Sequence, residues 1–239
     1  MPSLGDRKML VRDWMSKDVV WIRPEATIQD ALKMMKHYGI RHLPVKESDG
    51  TFVGWITDSD VRSVLIASMI EHLTVADVMI REPYIASPED HLEDVAFVMI
   101  TKKIGGLPVL EGDRVVGVIT VIDVLKAFME MMGGFESTGR IDVVCRSDDD
   151  YDLARIIEII QDCGATVLSI CTFLGETGSD SNLGGFYSLH IKGKNFPQVL
   201  ETLKAKGVTV FSSQQPHPVK PAVKYSCSPS SRIIRDVVE

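Results

Sequence analysis

The stretch "GWITDSD" at residues 54–60 decides the fold, because the chain repeats it as "GVITVID" at residues 117–123. Gly, Ile, Thr and Asp recur at the same spacing in both copies. A phrase that returns in register indicates an internal repeat, and each repeat of this kind needs its copy to complete a hydrophobic core. The sequence around the two phrases is therefore expected to form two copies of one structural unit.

The repeat extends well upstream of this phrase. Three longer segments return in the same order, and the first keeps an Asp-x-Met in both copies. The pairs are "VRDWMSKDV" (11–19) with "VADVMIREP" (75–83), "RPEATIQDALKMM" (23–35) with "SPEDHLEDVAFVM" (87–99), and "GIRHLPV" (39–45) with "KIGGLPV" (103–109). So many matching segments indicate a duplicated unit rather than a chance similarity.

Each copy predicts the element order β-α-β-β-α. A short strand is expected after the Met, ending at Pro24 or Pro88, and a helix with an apolar stripe follows. The stripe consists of Ile28, Ala31, Leu32 and Met35 in the first copy and of Leu92, Val95, Ala96 and Met99 in the second. Two apolar strands joined by a turn come next, and a second helix starts near Asp60 or Asp123.

This pattern resembles a tandem pair of CBS domains, also called a Bateman module. The resemblance is carried by "LPV" followed by Gly-apolar-Ile-Thr-x-x-Asp, at 43–60 and again at 107–123, together with the repeated Asp-x-Met. The repeats are predicted at residues 10–74 and 75–132. The resemblance implies that adenosine-type ligands bind in clefts between the two repeats.

The Thr-x-x-Asp in each phrase has two interpretations. A Thr before a helix and an acid three residues later form a capping box, which satisfies free N–H groups at the helix start. The same carboxylate can accept both hydroxyls of a ribose, while the helix N-terminus can hold a phosphate. The two roles can coexist, and the family resemblance favours ribose contact by Asp60 and Asp123.

Further side chains are expected to complete the nucleotide sites. Arg41, His42 and Arg62 could reach a phosphate, and the equivalents of Arg41 and His42 in the second copy are glycines. The resemblance implies that the strand after Asp-x-Met lines the adenine pocket. The full candidate set is Thr57, Asp60, Arg62, Thr120, Asp123, Arg41, His42, Val19, Val20, Pro83, Tyr84, Lys17 and Arg81. The expected ligand is AMP, ADP, ATP or S-adenosylmethionine, held at two unequal sites or at only one of them, and no metal ion is expected to be required for folding.

The second half of the chain predicts a different domain. Strands and helices in the order β-α-β-β-α-β are expected within residues 139–213, which is the ferredoxin-like split βαβ motif. This order resembles an ACT domain, although the turn after its first strand, "RSDDDYDL", lacks the Pro-Gly that amino-acid-binding ACT domains usually carry. Residues 131–139 are interpreted as a linker and residues 214–239 as a Pro- and Ser-rich tail. The predicted fold class is thus α/β (α+β).

Composition narrows the classes of partner and compartment. A net charge of −7 argues against nucleic acid as the main partner, and no apolar run reaches the ~20 residues of a membrane span. The N-terminus lacks the apolar core of a signal peptide. The cysteines, which are Cys145, Cys163, Cys171 and Cys227, form no C-x-x-C pair. Scattered thiols without a secretion signal predict a cytoplasmic protein.

A CBS pair followed by an ACT-like domain resembles regulatory proteins of the acetoin-utilisation AcuB type. The resemblance implies a sensor that signals through a homodimer or a protein partner. An enzyme is the rival class, but the sequence contains no nucleophile–base constellation, phosphate loop or metal motif. The acid run 148–150 is interpreted as a solvated helix start, and His190 and Cys163 as core or strand residues. A third possibility is a dimerisation module in which Thr-x-x-Asp serves only as a cap.

Overall fold

The computed structural model describes residues 9–65, 73–133, 137, 139–146, 152–172 and 183–215. The chain forms two compact units, which divide between Met131 and Met132. The N-terminal unit contains both repeats, and the C-terminal unit contains the predicted βαββαβ domain. None of the described helices combines the length and the apolar composition needed to cross a membrane.

The N-terminal unit contains the two main helices and the strand pair expected in each repeat, plus two short helices, but lacks the expected first strand of each copy. Its elements are α1 (Val11–Trp14), α2 (Ile28–Tyr38), β1 (His42–Lys46), β2 (Phe52–Thr57), α3 (Asp58–Leu65), α4 (Val75–Val78), α5 (Leu92–Lys102), β3 (Gly106–Glu111), β4 (Arg114–Thr120) and α6 (Val121–Met131). Strands β1 and β2 pair antiparallel, and so do β3 and β4. The predicted strands after Asp-x-Met are present only as isolated bridges at Ile22 and Ala86.

The apolar stripes explain why α2 and α5 form and which side they bury. Ile28, Ala31 and Met35 are buried on α2, and their repeat equivalents are buried on α5. Thr27 caps the start of α2, and Gly39 ends it in the left-handed conformation at φ +65°. The periodicity therefore predicted both helices and their buried faces correctly.

The two repeats exchange their N-terminal segments. Ser16 pairs with Val118 in β4, whereas Ile80 pairs with Trp55 in β2. Val11 of α1 accordingly belongs to the core of the second repeat, and Val75 of α4 belongs to the core of the first. Each repeat is thus completed by a segment that the sequence assigns to the other, which is how the pair forms one compact unit.

The exchange also explains the glycine of the repeated phrase. A Cβ on Gly54 would lie 2.6 Å from Met79 Sδ, and a Cβ on Gly117 would overlap Met15 Sδ and lie 2.9 Å from Met15 Cγ. The Met of each Asp-x-Met therefore packs flat on the glycine of the opposite repeat. Glycine and methionine recur together because they form one contact.

Replacing Gly117 by Ala should destabilise the N-terminal unit by about 1–3 kcal/mol, because overpacking forces Met15 out of its position. Chemical denaturation of the full chain measures this change. Gly105→Ala is the matched control, since its new Cβ would meet its nearest neighbour, His42 Nε2, at 3.4 Å. Equal stability of the two variants would contradict the proposed contact between the repeats.

The C-terminal unit has the element order predicted from the sequence. Its elements are β5 (Gly139–Arg146), α7 (Leu153–Asp162), β6 (Thr166–Thr172), β7 (Leu183–Lys192), α8 (Phe196–Ala205) and β8 (Val210–Gln214). The strands lie in the order β6-β7-β5-β8, and every neighbouring pair is antiparallel. This strand order agrees with the split βαβ arrangement, whereas an ACT-type assignment remains a proposal.

Buried contacts hold this sheet together on both faces. Ile141, Ile159 and Leu189 belong to the core between the strands and the two helices. Asp142, which is only 2% exposed, accepts hydrogen bonds from Arg140 Nε at 3.0 Å and Arg140 Nη2 at 2.7 Å. It also accepts one from Ser212 Oγ, which links β5 to β8. Among the described residues, Cys163 and Cys171 are free thiols and Cys145 is buried in the core, while Cys227, the tail 216–239 and the acid run 148–150 lie outside the described residues.

Candidate functional site

Two clefts lie between the repeats of the N-terminal unit. Cleft A, of about 640 Å³, contains the first Thr-x-x-Asp. Its lining residues are Arg41, His42, Trp55, Thr57, Asp58, Ser59, Asp60, Arg62, Ile80, Glu82, Pro83, Tyr84, Lys103, Ile104, Gly105, Gly106 and Leu107. Cleft B, of about 510 Å³, contains the second. Its lining residues are Ser16, Asp18, Val19, Val20, Gly39, Ile40, Arg41, His42, Gly105, Val118, Thr120, Val121, Ile122 and Asp123.

The exchange of segments decides which predicted residues meet. Pro83 and Tyr84 follow the Asp-x-Met of the second repeat, yet they line cleft A with Asp60 of the first. Val19 and Val20 line cleft B with Asp123 of the second repeat. Because Ile80 pairs with β2 and Ser16 pairs with β4, the segment after each Asp-x-Met lies against the other repeat. Each cleft is consequently built from both repeats.

Thr57 and Asp60 form a capping box at the start of α3. Asp60 Oδ2 accepts hydrogen bonds from the Thr57 backbone N–H at 2.9 Å and from Thr57 Oγ1 at 2.7 Å. The Asp60 backbone N–H donates to Thr57 Oγ1 at 3.3 Å. Only Oδ2 takes part in the cap, so within the described residues Asp60 Oδ1 keeps its accepting capacity.

The second repeat has the same two hydrogen bonds to the aspartate Oδ2 at the start of α6. Asp123 Oδ2 accepts from the Thr120 backbone N–H at 3.0 Å and from Thr120 Oγ1 at 2.6 Å. Asp123 Oδ1 lies 3.6 Å from Lys126 Nζ, which is too long for a strong hydrogen bond. Asp123 is buried although it is charged, and a buried carboxylate needs partners for its oxygens.

Among the described residues, two further Thr-x-x-Asp pairs form the same contact away from the clefts. At the start of α2, Thr27 Oγ1 donates to Asp30 Oδ2 at 2.6 Å, and before α4, Thr74 Oγ1 donates to Asp77 Oδ2 at 2.7 Å. These hydrogen bonds lower the pKa of both carboxyl groups. Neither Asp30 nor Asp77 lines either cleft. Capping alone therefore does not require a cleft, and these two contacts serve as internal controls for the other two.

The predicted basic residues differ in their availability. Arg41 lines both clefts, and in the described part of the chain its guanidinium makes no ion pair. Arg62 lines cleft A, but its Nε lies 2.6 Å from Asp58 Oδ2. Arg41 therefore provides the more accessible charge.

His42 contributes an uncharged ring at neutral pH. It stacks on Trp55 with 5.5 Å between ring centroids and an interplanar angle of 20°. Burial lowers the pKa of His42, the nearby Arg41 charge adds to this effect, and Asp60 partly opposes it. The same ring lies against Gly106, where a Cβ would come within 3.2 Å of His42 Cε1. The His42 ring therefore packs between Trp55 of the first repeat and Gly106 of the second.

Lys17 and Arg81 lie outside the lining of both clefts. Arg81 Nη2 instead donates to the Ala76 carbonyl in α4 at 2.9 Å, where a cation satisfies the end of a helix. Sequence reasoning missed Trp55 and Lys103, which both line cleft A. The signal for Lys103 was its position, because the first repeat has a glycine there.

Comparison with known proteins identifies the repeats. The CBS domain family model matches residues 11–67 and 75–130. The CBS domain-containing protein YhcV of Bacillus subtilis is 32% identical over 114 residues, which are 47% of this chain and 81% of that protein. An inosine-5′-monophosphate dehydrogenase of Methanocaldococcus jannaschii is 29% identical over 148 residues, which are 61% of this chain but only 28% of that enzyme.

Solved structures resemble the same part of the chain. The CBS domain pair of protein MJ0100, in complex with 5′-methylthioadenosine and S-adenosyl-L-methionine, is 30% identical and covers 51% of this chain and 96% of its own, with a TM-score of 0.47. A Vibrio cholerae protein named for acetoin utilization (AcuB) is 26% identical and covers 53% and 95%, with a TM-score of 0.48. Because both TM-scores lie below 0.5, the assignment of a ligand rests on this chain's own residues. Through its tandem repeats, the chain belongs to the CBS domain family.

Proposed function

We propose that the CBS pair binds adenosine-type ligands in clefts A and B and acts as a regulatory sensor rather than an enzyme. The ligand is AMP, ADP, ATP or S-adenosylmethionine, with Asp60 and Asp123 in contact with the ribose. Binding changes the packing of the two repeats, and a homodimer or a protein partner responds to that change. The regulated process, including acetoin utilisation, is part of this proposal.

The proposal rests on the different roles of the two oxygens of each carboxylate, in Asp60 and in Asp123. In both clefts Oδ2 holds the capping box, while Oδ1 takes no part in it. A ribose offers two adjacent hydroxyl donors, and a carboxylate oxygen accepts such donors in charge-assisted hydrogen bonds. The capping hydrogen bonds therefore orient the carboxylate and leave Oδ1 available as an acceptor. Capping and ribose binding are compatible for this reason.

The rest of each cleft suits an adenosine ligand. Volumes of about 640 and 510 Å³ fall within the range of small-ligand sites. Tyr84 provides an exposed aromatic face in cleft A, and Val19 and Val20 provide apolar walls in cleft B. An aromatic or apolar wall next to a carboxylate matches a base attached to a sugar.

An exposed apolar face of the second repeat supports self-association. Phe97 and Ile100 on α5 are 68% and 76% exposed. Their repeat equivalents on α2 are Lys33 and Lys36, so only one of the two repeats has this apolar face. An exposed apolar patch indicates an interaction surface, and a two-fold homodimer is the commonest way to cover one.

An enzymatic reading would look first at Ser169 and His190 in the C-terminal unit. Ser169 Oγ lies 3.2 Å from His190 Nδ1, as in a nucleophile–base pair. However, Ser169 Oγ also donates a hydrogen bond to the Met132 carbonyl at 2.9 Å, which directs its single proton away from His190. The pair is better explained as a structural contact.

A thermal-shift screen tests the proposed function. AMP, ADP, ATP and S-adenosylmethionine are added to the full chain, and at 100 times its dissociation constant a ligand should stabilise the protein by ~2.7 kcal/mol. GMP serves as the control for a nucleotide with a different base. If no adenosine compound raises the melting temperature more than GMP does, the dimerisation module without a ligand becomes the better reading.

A further inference from the structure

Lys103 has a backbone conformation that lysine rarely adopts. It ends α5 at φ +57° and ψ +41°, in the left-handed region, and no other described non-glycine residue has a positive φ. An L side chain is disfavoured there because its Cβ crowds the following carbonyl, and glycine is the usual residue after a helix. The first repeat has that glycine, since Gly39 ends α2 at φ +65° and ψ +30°. The strain at Lys103 is therefore not required by the repeat.

The Lys103 side chain contributes a positive charge to one cleft, and this charge offers a reason for the strained backbone. Lys103 lines cleft A, and Gly39 is its counterpart in cleft B. In the described part of the chain Lys103 forms no ion pair, whereas Arg62 is held by Asp58 and the neighbouring Lys102 Nζ lies 5.5 Å from the centre of the Tyr84 ring. Within the described ranges, Lys103 and Arg41 are thus the cations of cleft A that form no ion pair.

The two clefts differ in charge as a result. Arg41, Arg62 and Lys103 balance three carboxylates in cleft A, which are Asp58, Asp60 and Glu82. Cleft B has Arg41 alone against Asp18 and Asp123, and apolar Val121 and Ile122 begin its helix. A phosphate needs cations or hydrogen-bond donors, so cleft A is the better site for one.

We propose that Lys103 is a specificity-determining residue that directs phosphorylated adenosine ligands to cleft A. Cleft B, which has Gly39 instead, accepts adenosine ligands without a phosphate. This inference rests on the proposed function, because it assumes that both clefts bind adenosine. The left-handed backbone at Lys103 lowers the stability of the fold, and its side chain adds a positive charge to the lining of cleft A.

Lys103→Gly should change stability and affinity in opposite directions. Without ligand, the variant should melt about 2–4 °C higher than the parent, because glycine adopts this conformation without strain. Its affinity for AMP should fall about tenfold, which corresponds to one charge-assisted contact. Its affinity for adenosine, which differs from AMP only by the phosphate, should stay within about twofold of the parent. Calorimetric titration and a melting curve measure the three quantities.

Two further variants separate charge from strain. Lys103→Gln keeps the strained backbone and removes the charge, so AMP binding should weaken with no rise in melting temperature. Gly39→Lys places the same charge at cleft B, where a Cβ meets no heavy atom within 4 Å. It should lower the melting temperature and raise the number of AMP molecules bound per chain from one to two.

The possible outcomes distinguish this inference from the proposed function. Should Lys103→Gly and Lys103→Gln bind AMP as the parent does, the role of Lys103 is wrong while adenosine binding stands. A parent chain that binds neither AMP nor adenosine would remove both proposals. Weaker AMP binding with unchanged adenosine binding, together with the gain in Gly39→Lys, would establish Lys103 as the residue that selects the phosphate.

Discussion

Asp60→Asn and Asp123→Asn should each lower affinity for adenosine by tenfold or more while leaving the fold nearly intact. An Asn can place its carbonyl oxygen where Oδ2 accepts from Thr57 or Thr120, so the cap survives. Its NH₂ group then replaces Oδ1, and a donor meets the ribose hydroxyls where an acceptor stood. A charge-assisted hydrogen bond contributes ~1.5–3 kcal/mol, and 1.4 kcal/mol is a factor of ten in affinity.

The cost to stability should be small. An Asn in the first helical turn loses the favourable interaction of a carboxylate with the helix dipole, which is about 0.3–1 kcal/mol. Asp30→Asn and Asp77→Asn are the matched controls, because their carboxylates accept the same threonine hydrogen bonds and line neither cleft. The controls should show a similar loss of stability and no loss of affinity, as measured by melting curves and calorimetry with AMP and adenosine.

A different outcome is expected if Thr-x-x-Asp serves only as a helix cap. In that case all four Asn variants would lose similar stability and none would lose affinity. Because Arg62 and Lys103 line cleft A and not cleft B, Asp60→Asn and Asp123→Asn are expected to differ in size of effect. Equal effects with every ligand would indicate that the two clefts are equivalent.

Introducing the lysines of the first repeat into the second should convert the expected homodimer into a monomer. The double variant Phe97→Lys with Ile100→Lys copies Lys33 and Lys36 onto α5. A buried Phe or Ile contributes about 1.5–3 kcal/mol, and a two-fold axis uses each side chain twice. The dissociation constant of the dimer should rise by a thousandfold or more, and light scattering across a dilution series measures it.

Both positions are exposed, so the variant should keep the helical content and melting behaviour of a folded monomer. Lys33→Gln with Lys36→Gln is the control on the charged face of α2 and should remain dimeric. A parent chain that is monomeric at every concentration would contradict self-association. A double variant that stays dimeric would place the interface on another surface.

Local patterns in the sequence predicted much of this fold. The stripes at Ile28 and Leu92 were sufficient to place α2 and α5, and Thr-x-x-Asp marked the starts of α3 and α6. These features depend on residues three or four positions apart, which is the range over which helix periodicity and capping act. The same reasoning predicted the element order of the C-terminal unit.

The exchange between the repeats could not be predicted in this way. Helices α1 and α4 have four residues each, which is too short for a periodic signal. The pairing of Ser16 with Val118 joins residues that are far apart in the chain, and the fit of Met15 onto Gly117 accompanies it. The sequence displayed the methionine and the glycine in both copies without indicating that they touch.

The candidate site shows the same limit. In the part of the chain that the structure describes, four threonines contact an aspartate three residues later, and of these aspartates only Asp60 and Asp123 line the clefts. Lys17 and Arg81 are near the phrase in the aligned copies but lie outside both linings, because the chain crosses to the other repeat beside them. Lys103 became a candidate only when its φ of +57° was known.

Native mass spectrometry of the full chain tests the central claim, adenosine binding at the two carboxylates, most directly because it counts bound ligands. With adenosine in excess, the parent and the Asp30→Asn/Asp77→Asn double variant should each carry up to two ligands per chain. The Asp60→Asn/Asp123→Asn double variant should carry clearly fewer at the same concentration, because a tenfold loss of affinity raises the adenosine concentration needed for equal occupancy by the same factor. Adenosine retained by the Asp60→Asn/Asp123→Asn variant as in the parent, or absent from the parent itself, would contradict ribose recognition by Asp60 and Asp123.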